Sequence, residues 1–285
     1  MQVKKRTSGW VSMLTMAEFI ESYGKTGAAK AKASAGRLLL LGMLAGFFIA
    51  AAAAATSTAA HTAPNAGAAK LICGLLFPFG LIMVVLTGAE LFTGNCLISI
   101  SVLRGDTGFG GMGRNLALVY PANFAGALIC AAACAFSGQM DISGGALAVY
   151  TIQVAASKCA LSFGNAVVLG ALCNVLVCTA VVCAVSAGDL PGKAMGAFFP
   201  TAFFVICGFE HCVANMYYIP AGLFAMAVPE YAALATAAGI DTAALNWGAF
   251  LLKNLLPVTI GNIAGGVGLG ALLWYCRGKR GKSNG

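Results

Sequence analysis

A short pattern, Gly-x-Glu-x-x-x-x-Asn, stands twice in this chain. Each copy lies in the middle of a hydrophobic stretch too long to cross a bilayer as one straight helix. The first copy is Gly88-Ala89-Glu90-Leu91-Phe92-Thr93-Gly94-Asn95 and the second is Gly208-Phe209-Glu210-His211-Cys212-Val213-Ala214-Asn215. Glu90 is the only charged residue in 71–103. Glu210 is the only one in 194–229, with His211 beside it. A membrane helix needs about 20 residues. A glycine-flanked acid at the centre of each longer stretch predicts two helices broken at membrane depth. Broken helices in matching positions of two halves point to a solute pathway near the bilayer midplane.

The halves match elsewhere. Arg114-Asn115-Leu116 with Val119, Asn123, Ala125 and Gly126 reads like Lys253-Asn254-Leu255 with Val258, Asn262, Ala264 and Gly265. Upstream, Lys30, Ser34, Leu41-Gly42 and Leu44 recur as Lys158, Ser162, Leu169-Gly170 and Leu172. The order of the blocks is kept while the residue offsets differ, at 128, 120 and 139, so the connections vary in length. A unit of three spans crosses an odd number of times, so its second copy runs inverted.

With 60% hydrophobic and 9% charged residues, the chain is far from the roughly 25% charged of a soluble domain. The stretches lack the apolar/polar alternation of a membrane barrel. The fold class expected is an all-α integral membrane protein with six transmembrane helices. They form an inverted 3+3 repeat in which the second and fifth are broken. The spans read as 38–60, 71–103, 115–137, 163–187, 194–229 and 254–276. They form one channel domain, 38–276, between an N-terminal segment, 1–37, and a basic tail, 277–285. The net charge of +8 is not a nucleic-acid footprint, because its distribution follows the membrane. Lys70, Lys158 and Lys253 fall on one side and the other fourteen basic residues on the opposite one. The positive-inside bias therefore puts both termini in the cytoplasm, in a multi-pass protein of the cell membrane. The first apolar span begins too late for a cleavable signal. Thr15-Met16-Ala17-Glu18 is a capping box, and 10–24 is expected as a short amphipathic helix on the cytoplasmic surface.

Few groups at depth can do chemistry. Most of the eleven cysteines lie inside spans, and no C-x-x-C pair occurs. They read as small apolar packing residues, and neither a metal site nor a cofactor is expected. His61 lies in a polar loop. His211 lies inside the second break, where an ionisable group defaults to a functional reading, and Leu91 holds the equivalent place in the first. Glu90 and Glu210 are expected as scaffold, accepting the backbone N–H groups that a break frees, with Asn95 and Asn215 closing the same loops. Thr93 and Asn174 are the polar residues placed to meet His211. Phe77, Leu81, Leu91, Phe92 and Phe204 are apolar residues near the breaks, and spacing alone assigns them only to packing.

These motifs, with Asn254-Leu255-Leu256-Pro257-Val258-Thr259-Ile260-Gly261-Asn262, resemble the formate–nitrite transporter family from about Glu18 to Trp274. The resemblance implies an aquaporin-like protomer in a homopentamer, each protomer with its own pore in contact with lipid. It implies a small anionic substrate, formate, nitrite, hydrosulfide, acetate or lactate. It makes His211, Thr93 and Asn174 the pore centre, Phe77 and Phe204 an outer constriction, and Leu81, Leu91 and Phe92 an inner one. Lys158 becomes a vestibule lysine, with Lys30 as its inverted counterpart. Glu90 and Gly94-Asn95 depart from the formate-type branch and resemble the hydrosulfide and archaeal-type forms. No Asn-Pro-Ala motif of the aquaporins is present.

The expected activity is a passive or proton-linked conduit for weak-acid anions. Lys158 and Lys30 would concentrate anions by their field, and His211 would either relay a proton or donate a hydrogen bond while neutral. A membrane-embedded enzyme or a structural subunit is the alternative of a different class. An enzyme needs a convergent set of acids, bases or ligands, and here one His and two separated carboxylates lie at depth.

Overall fold

In hydrocarbon the backbone has to satisfy its own hydrogen bonds, so long apolar stretches become helices and any break has to be braced from elsewhere. The computed structural model describes residues 13–277. In chain order it holds α1 (Met16–Lys32), α2 (Ala35–Ala60), α3 (Ala66–Leu76), α4 (Pro78–Thr87), α5 (Phe92–Asn95), α6 (Ile98–Leu103) and α7 (Phe109–Phe136). Then come α8 (Ala146–Cys159), α9 (Phe163–Ser186), α10 (Leu190–Cys207), α11 (Cys212–Met226) and α12 (Pro229–Ala237). The last are α13 (Trp247–Ala249) and, through a π-helical turn at Phe250–Leu255, α14 (Leu256–Cys276). Six stretches are long and apolar enough to cross a membrane: α2, α3 with α4, α7, α9, α10, and Trp247–Cys276. Phe77 keeps helical angles, φ −57° and ψ −36°, so α3 runs on into α4.

Glycine makes the two closest helix pairings possible. A Cβ on Gly126 of α7 would run into the Met43 carbonyl of α2, and one on Gly265 of α14 into the Ala171 carbonyl of α9. Lipid gives helices no hydrophobic reason to associate, so such backbone approach supplies the packing.

Both breaks have the expected place and the same backbone. α4 ends at Gly88 (φ 69°) and α10 at Gly208 (φ 73°), in the left-handed region that glycine enters without penalty. The chain is extended again at Leu91 (φ −104°, ψ 123°) and at His211 (φ −113°, ψ 113°) before α5 and α11 begin. The freed N–H groups do not go to the carboxylates, which corrects the expectation for Glu90 and Glu210. Phe92 N donates to Asn123 Oδ1 at 2.9 Å, and Cys212 N to Asn262 Oδ1 at 2.9 Å. Glu90 N donates to Leu41 O at 3.1 Å and Glu210 N to Leu169 O at 3.3 Å. Each asparagine amide then donates twice, Asn123 to Gly42 O and Glu90 O, and Asn262 to Gly170 O and Glu210 O. The two sets of contacts use positions that the sequence repeat had matched between the halves.

Two segments differ from the reading of the sequence. The capping box forms at Thr15 and Glu18, but the helix it starts runs to Lys32. Its face is not on the surface: Phe19 and Ile20 are fully buried and Tyr23 nearly so, with α1 packed on α6. The short stretch before Ala35 hid this, because one amphipathic turn looks alike on a membrane and against a protein. Residues 10–12 of that expectation, Lys4, Lys5 and Arg6, and the tail from 278 lie outside the described residues. The second difference is α8, in a stretch read as a connection. It carries Lys158 in its last turn as α1 carries Lys30, and it packs on α11.

A buried backbone donor left without a partner costs about 1–3 kcal/mol. Asn123→Ala strands the Phe92 N–H and two carbonyls, so we expect a clear fall in the melting temperature of the detergent-solubilised protein. Asn165→Ala, on the exposed start of α9, is the control and should melt with the wild type. Equal melting of both variants would remove Asn123 from the brace.

Candidate functional site

Outside each brace lies a buried polar clamp. Lys30 Nζ sits 2.9 Å from Glu90 Oε2, and Lys158 Nζ sits 2.8 Å from Glu210 Oε1. Asn95 Nδ2 donates to Glu90 Oε2 and to Asn115 Oδ1; Asn215 Nδ2 donates to Glu210 Oε2 and to Asn254 Oδ1. Asn115 and Asn254 in turn donate to the backbone carbonyls of Lys30 and Lys158, tying the ends of α1 and α8 to the breaks. The two clamps differ in one bond. Lys30 also donates to Asn95 Oδ1 at 3.1 Å, while the equivalent Asn215 Oδ1 is buried with no hydrogen-bond partner among the described residues. Both lysines were expected as vestibule charges. Lys158 does line the outer cavity, and each lysine is paired with a buried glutamate within 3 Å.

Between the clamps, Thr93 and His211 meet. Thr93 Oγ1 lies 2.8 Å from His211 Nε2, with both side chains buried. His211 is the N-cap of α11, and the Ala214 backbone N–H donates to its Nδ1 at 3.1 Å. A backbone N–H only donates, so Nδ1 is bare and a neutral ring carries its proton on Nε2. Nε2–H then donates to Thr93 Oγ1, and the threonine hydrogen is left to point elsewhere. Among the described residues, Asn174 makes no hydrogen bond to the imidazole. Its amide donates to Thr93 O at 3.2 Å and to Asn262 O at 2.6 Å, fixing the backbone beneath the pair.

A cavity of about 780 Å³ opens on the side that carries Lys70 and Lys158 and reaches His211. Phe77 and Phe204 both line it, edge to face at 5.8 Å, and the Phe204 ring stacks on the imidazole at 5.9 Å. The other apolar candidates lie within the core. Leu81, Leu91 and Phe92 are buried, and Phe92 meets Tyr120 edge to face at 4.6 Å. The sequence had not singled out Tyr120, nor Thr259, whose hydroxyls lie 2.8 Å apart. It gave Asn115 and Asn123 as marks of the repeat, and Asn254 and Asn262 as marks of the repeat and of the third family motif. Their matched places in the two halves were the available signal, but an amide's partners are set by packing.

This chain matches the sequence profile described as "Formate/nitrite transporter" over residues 17–276. The chain belongs to that family. It is 40% identical over 213 residues to the protein named formate channel FocA of Haemophilus influenzae, covering 74% of this chain and 75% of that one. It is 36% identical over 265 residues to a probable formate transporter of Methanothermobacter thermautotrophicus, covering 86% and 90%. Among solved structures it is similar to one titled "Pentameric formate channel with formate bound". There the TM-score is 0.73 and the identity 36%, over 85% of this chain and 96% of that one. Membership of the formate/nitrite transporter family, with six apolar spans, makes this a multi-pass membrane protein.

The second clamp is open to a direct test. The Lys158 and Glu210 side chains are only 16% and 7% exposed. Removing one partner of a buried pair strands the other, at about 3–5 kcal/mol. Lys158→Met alone should strongly destabilise the folded protein, and adding Glu210→Gln should recover much of the loss. Strictly additive losses in thermal unfolding would show that the pair is not coupled.

Proposed function

We propose that this protein is a membrane channel for small monovalent weak-acid anions, formate first among them. It works as a homopentamer in the cell membrane with one pore in each protomer and both termini in the cytoplasm. The observation that carries the reading is His211, which lines an open cavity and is hydrogen-bonded to the buried Thr93. The relatives support the substrate class by their printed names, and they are channels and transporters rather than enzymes. Nitrite, hydrosulfide, acetate and lactate remain the substrates to compare with formate.

The chemistry follows from what surrounds the pair. An anion passing Phe77 and Phe204 leaves water, at a cost of at least several kcal/mol for a bare charge in hydrocarbon. The Thr93 hydroxyl accepts from His211 and so presents its own hydrogen to the passing oxygen atoms. A hydrogen bond to an ionised acceptor is roughly twice as strong as a neutral one. The N-terminus of α11 begins at the same residue, and helix N-termini favour negative charge. In this reading His211 is a neutral donor that orients Thr93. A proton relay is the second reading. It requires Nδ1 to take a proton, and that proton would displace the Ala214 N–H from the cap.

Uptake of formate into liposomes carrying the purified oligomer tests the function. Uptake should exceed that of empty liposomes, and no excess for formate, nitrite, hydrosulfide or acetate would defeat the reading. Native mass spectrometry in mild detergent should give five chains.

Variants separate the two roles of His211. Thr93→Val should lose most of the flux, because no hydroxyl faces the substrate. His211→Asn, which keeps a donor, should retain part of the flux with the wild-type pH profile between about pH 5 and 8, the range over which histidine normally titrates. His211→Phe should lose more. If His211→Asn instead abolishes the pH dependence in a folded oligomer, the relay holds and the neutral donor does not. Wild-type rate and profile in both His211 variants would make the residue structural only.

A further inference from the structure

With Lys158 cancelled by Glu210, the outer cavity needs another source of positive field if it gathers anions at all. One cation lining it has no carboxylate partner. Lys70, on the second turn of α3, is exposed to the cavity and is absent from the four ion pairs found among the described residues. Its Nζ hangs over the second break, 3.0 Å from where a Cβ on Gly208 would stand. That puts the ammonium beside the loop that carries Glu210 and His211.

Two further observations separate this lysine from the scaffold. The offset of 120 residues that superimposes the breaks puts Leu190 at the position equivalent to Lys70. The first and second breaks have the same backbone and the same braces, so the fold does not require a cation there. The second observation is Ser57, on α2 and lining the same cavity. Its side chain is 3% exposed, and its Oγ has no hydrogen-bond partner among the described residues. A buried hydroxyl without a partner is costly, and a hydroxyl can donate to an anion.

We infer that Lys70 and Ser57 form an anion-capture subsite in the outer cavity, and that Lys70 rather than Lys158 supplies its net charge. The ligand class is a small oxyanion or carboxylate, held by one ammonium and one hydroxyl before it reaches Phe77 and Phe204. The subsite sets how readily the pore loads and does not set how fast a loaded anion crosses. This rests on the proposed channel function for its consequence, and on the cavity alone for its binding.

Two measurements on the full-length oligomer test it. The first is initial formate uptake against formate concentration at about 10 mM and about 0.15 M ionic strength, where the screening length is about 30 Å and about 8 Å. A focused charge raises local counter-ion concentration by about tenfold or more. Lys70→Met should therefore raise the half-saturating concentration at low salt by about three- to tenfold, leave the maximal rate near wild type, and lose most of the salt dependence. Lys70→Arg should keep all three properties. Ser57→Ala should raise half-saturation by about two- to tenfold and keep the salt dependence, since it removes one hydrogen bond and no charge. The second measurement is reductive methylation of lysines read by mass spectrometry, with formate or nitrate present or replaced by a bulky organic anion. Lys70 should be protected by the small anions, while Lys158, held by Glu210, should label slowly in either case. Unchanged half-saturation and salt response in Lys70→Met would overturn the inference. So would a lower maximal rate at unchanged half-saturation, which marks a structural role. If the wild type carries no formate, the channel reading falls, and the labelling then decides alone: anion protection of Lys70 supports the subsite and its absence overturns it.

Discussion

A helix interrupted inside a bilayer leaves backbone groups that neither lipid nor water can satisfy, and everything else in this protein is arranged around two such interruptions. The side-chain oxygens of Asn123 and Asn262 take the first N–H of α5 and of α11, and their amides donate to Glu90 O and Glu210 O within the breaks and to Gly42 O and Gly170 O on the adjoining α2 and α9. Without that exchange the two loops would carry open polar groups at a depth where each costs several kcal/mol. The braces explain why α7 has to pack so closely on α2, and α14 on α9. An asparagine side chain reaches only one residue's length, so the glycines at Gly126 and Gly265 bring the backbones within its range.

The lysine–glutamate pairs belong to the same scaffold. Each glutamate holds a lysine from a flanking helix and an asparagine from its own loop, and a further asparagine links the lysine's backbone to the set. A buried pair of this kind contributes little net stability, because desolvation offsets the attraction, yet it is costly to break. Its effect is to fix where α1 and α8 end. The helices that close over the two breaks are thereby held in register with them. A paired charge acts more weakly at a distance than a free one, so an unpaired cation outside the clamp would attract an anion more strongly.

The sequence carried the spans, the breaks and the repeat because each rests on a one-dimensional signal. A stretch without charge, a glycine before an acid, and a block of residues recurring in order can all be counted along the chain. It carried Thr93 and His211 as a pair because both sit at fixed places in the motif. The partners of the carboxylates were not legible. Glu90 could accept from backbone or from Lys30 with equal chemical sense, and only the course of α1 decides between them. The same limit hid α8, whose 14 residues are shorter than a span and lack a capping side chain at Gly145. It also hid the cavity, since Ser57, Lys70 and Phe204 come from three helices and share no spacing.

The places where the repeat fails are where the chemistry lies, and their distance from the repeat's axis decides what each failure does. Tyr120 and Thr259 are equivalent positions by the offset that aligns Asn123 with Asn262, and their hydroxyls are 2.8 Å apart. Equivalent residues of a twofold arrangement touch only near its axis, so the axis runs through this contact, beside the Phe92 ring that Tyr120 packs against. The starts of α5 and α11 face each other in the same region, and α5 contacts α11. A substitution near the axis alters the one point that both directions of travel share. In the proposed pathway, Leu91 in one half against His211 in the other would therefore give a single polar centre instead of two. A substitution far from the axis alters one mouth and leaves the other as it was. Lys70 against Leu190 is of that kind. A pore built by duplicating one unit can in this way acquire a centre and an orientation by changing very few residues, while the braces and clamps that hold the breaks stay the same in both halves.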